Sequence, residues 1–388
     1  MRESVTYKRL GDLCERLTDG SHNPPKGVTH SGYLMISSQN IGNDCIDLNR
    51  GVRYLTKEDF EQEDKRTRIS EGDVLLTIVG TVGRAAVVHA EHKNITLQRS
   101  VAVLSPKKEL INSSFLKYLL QAESYKLIEE AHGVAQKGIY LGQLSNISVP
   151  VPSLSTQELI VRELDSISSV ISAKKQQVLE LDNLAQAIFL DTFGDPITNP
   201  KGWEVKKIEE IAYTTSGGTP SKAHKEYYEG GTIPWLRSGE VSQGMIYKTE
   251  LFITQEGLDN SNAKIVPIDT VAIAMYGATV GEVGIIKSPM CTNQAICNIL
   301  PNEDTTPLYL MYVLMSMKPK YTTIAAGGAQ PNISQAIIKN TAIPLPPLSL
   351  QQAFAEKVQA IEEQKRLINQ SIAEFESLLA QRMEFHFA

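Results

Sequence analysis

Val149-Pro-Val-Pro-Ser-Leu-Ser155 returns later in the chain as Ile343-Pro-Leu-Pro-Pro-Leu-Ser349, a shift of 194 positions. The same shift, without a gap, lays Phe115-Leu-Lys-Tyr-Leu-Leu120 on Tyr309-Leu-Met-Tyr-Val-Leu314 and Gly133-Val-Ala-Gln136 on Gly327-Gly-Ala-Gln330. Earlier segments match with small insertions: Lys8 to Leu13 with Lys206 to Ile211, Thr81-Val-Gly83 with Thr279-Val-Gly281, and Gln98 with Gln294. The 388-residue chain is thus a unit of about 195 residues written twice. A single core is excluded, because each copy must bury its own apolar face.

Each copy changes character part-way. Its first part consists of short β-branched runs cut by Gly, Asn and Asp, such as Asp73 to Val79 and Asp269 to Met275, with a helical stretch near 113–131 or 306–320. Its last part has apolar residues at strict 4,3 spacing: Ile160, Leu164, Ile167, Ile171, Val178, Leu181, Ala185 and Ile188, then Phe354, Val358, Ile361, Ile368, Ile372, Phe375 and Leu379. That spacing predicts a coiled-coil seam. Lys174, Lys365 and Arg382 interrupt it, and a lone polar residue at a seam position selects register. The Pro-rich joints start each helix where its globule ends. Over the order globule, helix, globule, helix, the two seams meet only if they run antiparallel. The expected fold is therefore two similar α+β globules separated by an antiparallel helical pair, with pseudo-twofold symmetry. Helix over Ser155 to Phe189 would span about 52 Å, or at most roughly 15 base pairs of duplex DNA.

Composition narrows the classes. A hydrophobic content of 42% with 21% charged residues describes a globular protein. The absence of a long apolar run, and the charged residues Arg2, Glu3, Lys8 and Arg9 at the start, lead us to expect a cytoplasmic protein without a membrane segment. Cys14, Cys45, Cys291 and Cys297 lack disulfide or zinc spacing, so they read as core thiols and no metal site is expected. The net charge of -6 resides on the helical stretches; the globular stretches are nearly neutral, which leaves room for a locally basic face.

Trp203-Glu-Val-Lys-Lys-Ile, Ser216-Gly-Gly-Thr-Pro-Ser221, Gly231-Thr-Ile-Pro-Trp-Leu-Arg237 and Pro344-Leu-Pro-Pro-Leu-Ser-Leu-Gln-Gln352 follow in an order that resembles the specificity subunit of type I restriction-modification enzymes. The first copy departs from this, with Gly20-Ser-His-Asn-Pro-Pro25 and Tyr33 to Asn40 in the equivalent places. The resemblance implies target recognition domains at 1–152 and 196–347, spacer helices at 153–195 and 348–388, and a non-catalytic chain that reads a split double-stranded DNA target. It also implies two methyltransferase subunits and restriction/translocase subunits as partners. S-adenosylmethionine, ATP and Mg²⁺ would reside on those partners, with no cofactor in this chain. A structural adaptor, whose coiled coil spaces two protein-binding domains, satisfies the same layout.

Three local motifs read as structure. Asn23-Pro-Pro25 lacks the aromatic residue of an amino-methyltransferase site, having Lys26 instead, and is expected to be a turn. Gly80 to Gly83 and Gly281 to Gly284 lack phosphate-loop spacing and are expected to be hairpin turns. Glu58 to Lys65 is expected to be a solvated helical face. Base reading requires side chains that offer two hydrogen bonds at once, Arg to guanine and Asn or Gln to adenine. Two loop segments per copy qualify: Ser37, Ser38, Gln39 and Asn40 with Arg237, Ser238 and Glu240, and Gln136, Lys137, Tyr140 and Gln143 with Gln330, Asn332, Ser334 and Gln335.

Overall fold

The structure, a computed structural model, describes residues 6–49, 51–123, 138–325 and 332–387. It divides into two compact units, Met1–Lys175 with Gln370–Ala388, and Gln176–Asn369. The division falls inside both long helices, so each unit holds one globule together with half of each helix.

In the first unit, strand Thr6–Arg9 pairs antiparallel with Ser148–Val151, Thr6 opposite Val151, which ties the end of the globule to its beginning. Between them lie two sheets. One is antiparallel, in the order Cys14–Asp19, Val101–Pro106, Val74–Thr77, Ala85–Val87. The other runs Arg53–Leu55, Tyr33–Ile36, Ile95–Leu97, the last two parallel. Val74-Leu-Leu-Thr77 is continuously apolar up to its last residue because both faces of its strand are covered. Val74 and Leu76 join the core that contains Phe115 and Leu119 of helix Ser113–Ala122. Leu75 joins Ile36, Ile95 and Leu97.

The second unit repeats this plan. Glu204–Lys207 pairs with Ala342–Leu345. The first sheet runs Thr214–Ser216, Ile296–Ile299, Val271–Ala274, Val283–Ile286, with an added edge strand, Met245–Ile246. The second runs Leu251–Ile253, Ile233–Leu236, Met290–Thr292, with Ile265–Val266 added. Val271 and Ile273 face the core of helix Pro307–Ser316, and Ala272 and Ala274 face the opposite core. Both units are α+β. The Gly80 to Gly83 segment connects paired antiparallel strands, and Glu58 to Lys65 lies in helix Lys57–Thr67, as expected. Of Gly281 to Gly284, only Gly281 and Glu282 lie in the connection; Val283 and Gly284 belong to strand Val283–Ile286 and pair with Ile273 and Ala272, which corrects the reading of the whole segment as a turn.

The long helices are Leu154–Phe193 and Leu348–Phe387, 40 residues each, about 60 Å. The first extends beyond Phe189 because no breaker precedes Gly194. Gly194 has φ +80°, and its N–H donates to the Leu190 carbonyl at 2.8 Å, a stop that requires glycine. Along the seams Ile160, Leu164, Ile167, Ile171, Ala185, Phe354, Val358, Ile361 and Ile372 are buried. Val178, Leu181, Ile188, Ile368, Phe375 and Leu379 are half-buried.

The halves of the two helices run antiparallel within each unit. In the first, Ile160 and Leu164 share a core with Phe387, whose ring lies 5.3 Å from Phe115. In the second, Phe189 and Phe193 lie against Phe354, with ring centroids 5.7 and 5.3 Å away. Polar seam positions find partners across the pair. Arg382 and His386 both bind Glu163, His386 at 2.9 Å. Lys365 lies 2.6 Å from Asp182 and 2.8 Å from Glu362, and Lys174 sits 5.9 Å from the Phe375 ring. Burial pulls the Lys365 ammonium down; its hydrogen bonds to Asp182 and Glu362 outweigh that and raise its pKa.

One glutamine in each copy fastens helix to globule. Gln157 is fully buried; it accepts from the Asn112 N–H at 2.8 Å and donates to the carbonyls of Leu110 at 3.0 Å and Pro152 at 2.9 Å. Gln351, also fully buried, accepts from the Thr306 N–H at 2.9 Å and donates to Asp304 at 3.0 Å and Pro346 at 2.9 Å. All three partners correspond under the 194-position shift. Asn112 and Thr306 are the N-caps of helices Ser113–Ala122 and Pro307–Ser316, so each glutamine joins two helix starts. Cys14, Cys291 and Cys297 are buried, and burial raises their thiol pKa values to about 12, 11 and 12. Cys45 is exposed, which corrects its reading as a core thiol. Among the described residues no helix is long and apolar enough to cross a membrane.

Candidate nucleic-acid interface

Ser37 to Asn40 and Arg237 to Glu240 occupy the same 3-10 turn in the two units, following strands Tyr33–Ile36 and Ile233–Leu236. Asn40 is buried; it accepts from the Ser37 N–H and donates to the Asp47 carbonyl, both at 2.9 Å. Glu240 is buried likewise and accepts from the N–H groups of Arg237 at 3.1 Å and Glu250 at 2.8 Å. Both side chains close their own turn. Of the base-reading candidates, Asn40 and Glu240 thus have their side chains engaged within their own turns. Arg237 is held by Glu250 and lies 3.6 Å from Glu240, so its charge is countered locally. Ser37, Ser38 and Ser238 are half-buried, whereas Gln39 is exposed and donates to the Gly51 carbonyl at 2.7 Å.

The second pair of segments is anchored by equivalent bridges, Val79 with Gly138 and Tyr276 with Asn332. Tyr140 is 72% exposed, and its N–H donates to Gln143 at 3.1 Å. Asn332 is exposed. Ser334 caps helix Gln335–Lys339, and Gln335 donates to Thr214 at 3.0 Å. Gln136, Lys137 and Gln330 lie outside the described residues.

The fold also assembles residues that sequence reading missed. In the first unit a cleft of about 500 Å³ is lined by Asp19, His22, Arg66, Arg99 and Tyr140. Asp19 is buried and accepts from His22 Nε2 at 2.9 Å and from Arg66, which orients both donors. Arg99 is exposed, and its side chain makes no hydrogen bond or ion pair among the described residues. In the second unit a cleft of about 460 Å³ is lined by Thr219, Lys222, Asn262 and Gln294. The Thr219 hydroxyl donates to Gln294 Oε1.

The two clefts are the same place in the fold. Ile36 is paired in parallel with Leu97, and Leu236 with Thr292. The next N–H on each strand, Gln98 or Asn293, donates to the carbonyl of Ile36 at 2.8 Å or of Leu236 at 2.9 Å. The counterpart of Gln98 is therefore Asn293. This corrects the match with Gln294, which stands where Arg99 stands. On the facing wall, a Cβ on Gly20 would lie 2.1 Å from the Leu97 carbonyl oxygen, and one on Gly217 2.1 Å from that of Thr292. Both glycines are required by this close approach, and two residues further on, His22 corresponds to Thr219. The signal available in the sequence was the divergence of Gly20-Ser-His from Gly217-Gly-Thr.

Comparison with known proteins defines the class. The Type I restriction modification DNA specificity domain matches residues 2–181 and 200–377, and the chain belongs to that family. It is 25% identical over 385 residues to the type I restriction enzyme MjaX specificity subunit of Methanocaldococcus jannaschii, covering 93% of this chain and 87% of that one. Its fold is similar to the S subunit of a type I restriction-modification system from M. genitalium, with a TM-score of 0.56 at 13% identity over 100% of this chain and 97% of that one. It is similar also to a chain from a study of complex assembly and conformational transition of the type I R-M system, with a TM-score of 0.55 at 18% identity over 99% of this chain and 98% of that one.

Proposed function

We propose that this chain is the DNA-reading, non-catalytic subunit of a type I restriction-modification complex, acting in the cytoplasm on a bipartite duplex target. Each globule reads one half-site, and the long helices set the gap and dock two methyltransferase subunits together with restriction/translocase subunits. S-adenosylmethionine, ATP and Mg²⁺ serve those partners. The observation that carries this reading is the pair of register-equivalent clefts with different polar linings: one scaffold presents two sets of hydrogen-bonding groups, as two different half-sites require. The nearly neutral globules leave much phosphate neutralisation to the partners. Footprinting of the chain with its methyltransferase subunits on random-sequence duplexes tests the proposal. It predicts two short protected blocks at a fixed gap; a single block, or no protection, would favour a structural adaptor instead.

A further inference from the structure

We propose that Arg99 and Gln294, which share one register position in the two units, each read one base: Arg99 a guanine in the first globule's half-site and Gln294 an adenine in the second's. This rests on the DNA-specificity reading above and adds the chemistry of one base in each half.

In the major groove guanine offers two acceptors, N7 and O6, which match the paired donors of a guanidinium. Adenine offers the N7 acceptor and the N6 donor, which match a carboxamide. In the first cleft His22 and Arg66 both bind the buried carboxylate of Asp19. Arg99 alone among these basic residues has a side chain without a partner among the described residues, so its fork is available to a ligand. In the second cleft, the Thr219 hydroxyl bonds one end of the Gln294 amide, at Oε1, and so positions the group. It leaves a second lone pair and both N–H groups for a base edge. Neither residue is needed by the fold: both are exposed, whereas Asn40 and Glu240 in the adjoining turns are buried.

The test uses the full chain assembled with its methyltransferase subunits, bound to duplexes in which each pair of the wild-type target is varied singly. Arg99→Gln should reduce discrimination at one G·C pair of the first half-site by roughly 5- to 150-fold and leave the second half-site unchanged. Gln294→Ala should do the same at one A·T pair of the second half-site only. Because both side chains are exposed, the melting temperatures of the variants should match wild type. A uniform loss of affinity across all sequences with a shallower salt dependence would identify a phosphate contact and overturn the assignment, as would unchanged discrimination. A wild-type assembly that protects no bipartite target would overturn both this assignment and the specificity-subunit reading, before any variant is made.

Discussion

Gln157→Ala should loosen the joint between the first globule and its long helix while leaving the second copy intact. The fully buried side chain makes three hydrogen bonds, at 2.8, 3.0 and 2.9 Å, and alanine strips that partner from the Asn112 N–H and from the Leu110 and Pro152 carbonyls. Each buried polar group left unsatisfied costs about 1–3 kcal/mol, so the loss lies between about 3 and 9 kcal/mol. Water entering the vacated polar space keeps it near the lower value. A unit of this size loses about 2–4 °C of melting temperature per kcal/mol, so a fall of about 6–12 °C is expected in the transition of the first unit. Hydrogen exchange on the full chain localises the effect. Peptides covering 108–120 should lose protection while those covering 302–314 keep it, and Gln351→Ala should reverse the pattern. A melting temperature within about 1 °C of wild type, or equal loosening in both copies, would refute the reasoning.

Three further predictions concern the helices. Deleting seven residues from each, Ser172 to Val178 and Arg366 to Ile372, keeps the heptad phase and shortens each helix by about 10 Å, so the unspecified gap of the target should shrink by roughly three base pairs; an unchanged gap with full binding would mean that spacing is set elsewhere. Deleting only four residues from each should impair binding more, because it breaks the 4,3 alternation. Glu163 is held below the usual carboxylate range by its hydrogen bond to Arg382, against the opposing effect of burial and with help from His386. A depressed carboxylate contributes stability above its ordinary pKa and loses it as pH falls through the folded value. Glu163→Gln should therefore cost at most about 1 kcal/mol at neutral pH, since the pair is part-exposed. That difference should begin to narrow in acid unfolding curves as the pH falls below the ordinary glutamate pKa of about 4.3; a difference that does not change with pH would contradict the assignment.

Much of the architecture is legible from periodicity, because a 194-position shift and 4,3 spacing are properties of the sequence that folding need only express. The helix end was understated by four residues, since Leu190 to Phe193 carry no breaker and only the positive φ of Gly194 marks the stop. The site was less legible. A polar residue in a turn is equally suited to reading a base or closing the turn, and only the fold shows that Asn40 and Glu240 are buried within theirs. Gln98 and Gln294 share a residue type, but the parallel pairing of Ile36 with Leu97 and of Leu236 with Thr292 sets the register one residue away. The first cleft draws Asp19, Arg66, Arg99 and Tyr140 from four separate stretches, a convergence that no local pattern announces. Gln157 and Gln351 resemble surface residues of a helix start until the globule closes over them.

Independent reading by the two globules is tested most directly by exchanging residues 1–152 for those of another family member and mapping the methylated motif in cells that also contain the partner subunits. The account predicts that one half of the motif changes to that of the donor while the other half and the gap remain. A motif altered in both halves, or altered in neither, would contradict it.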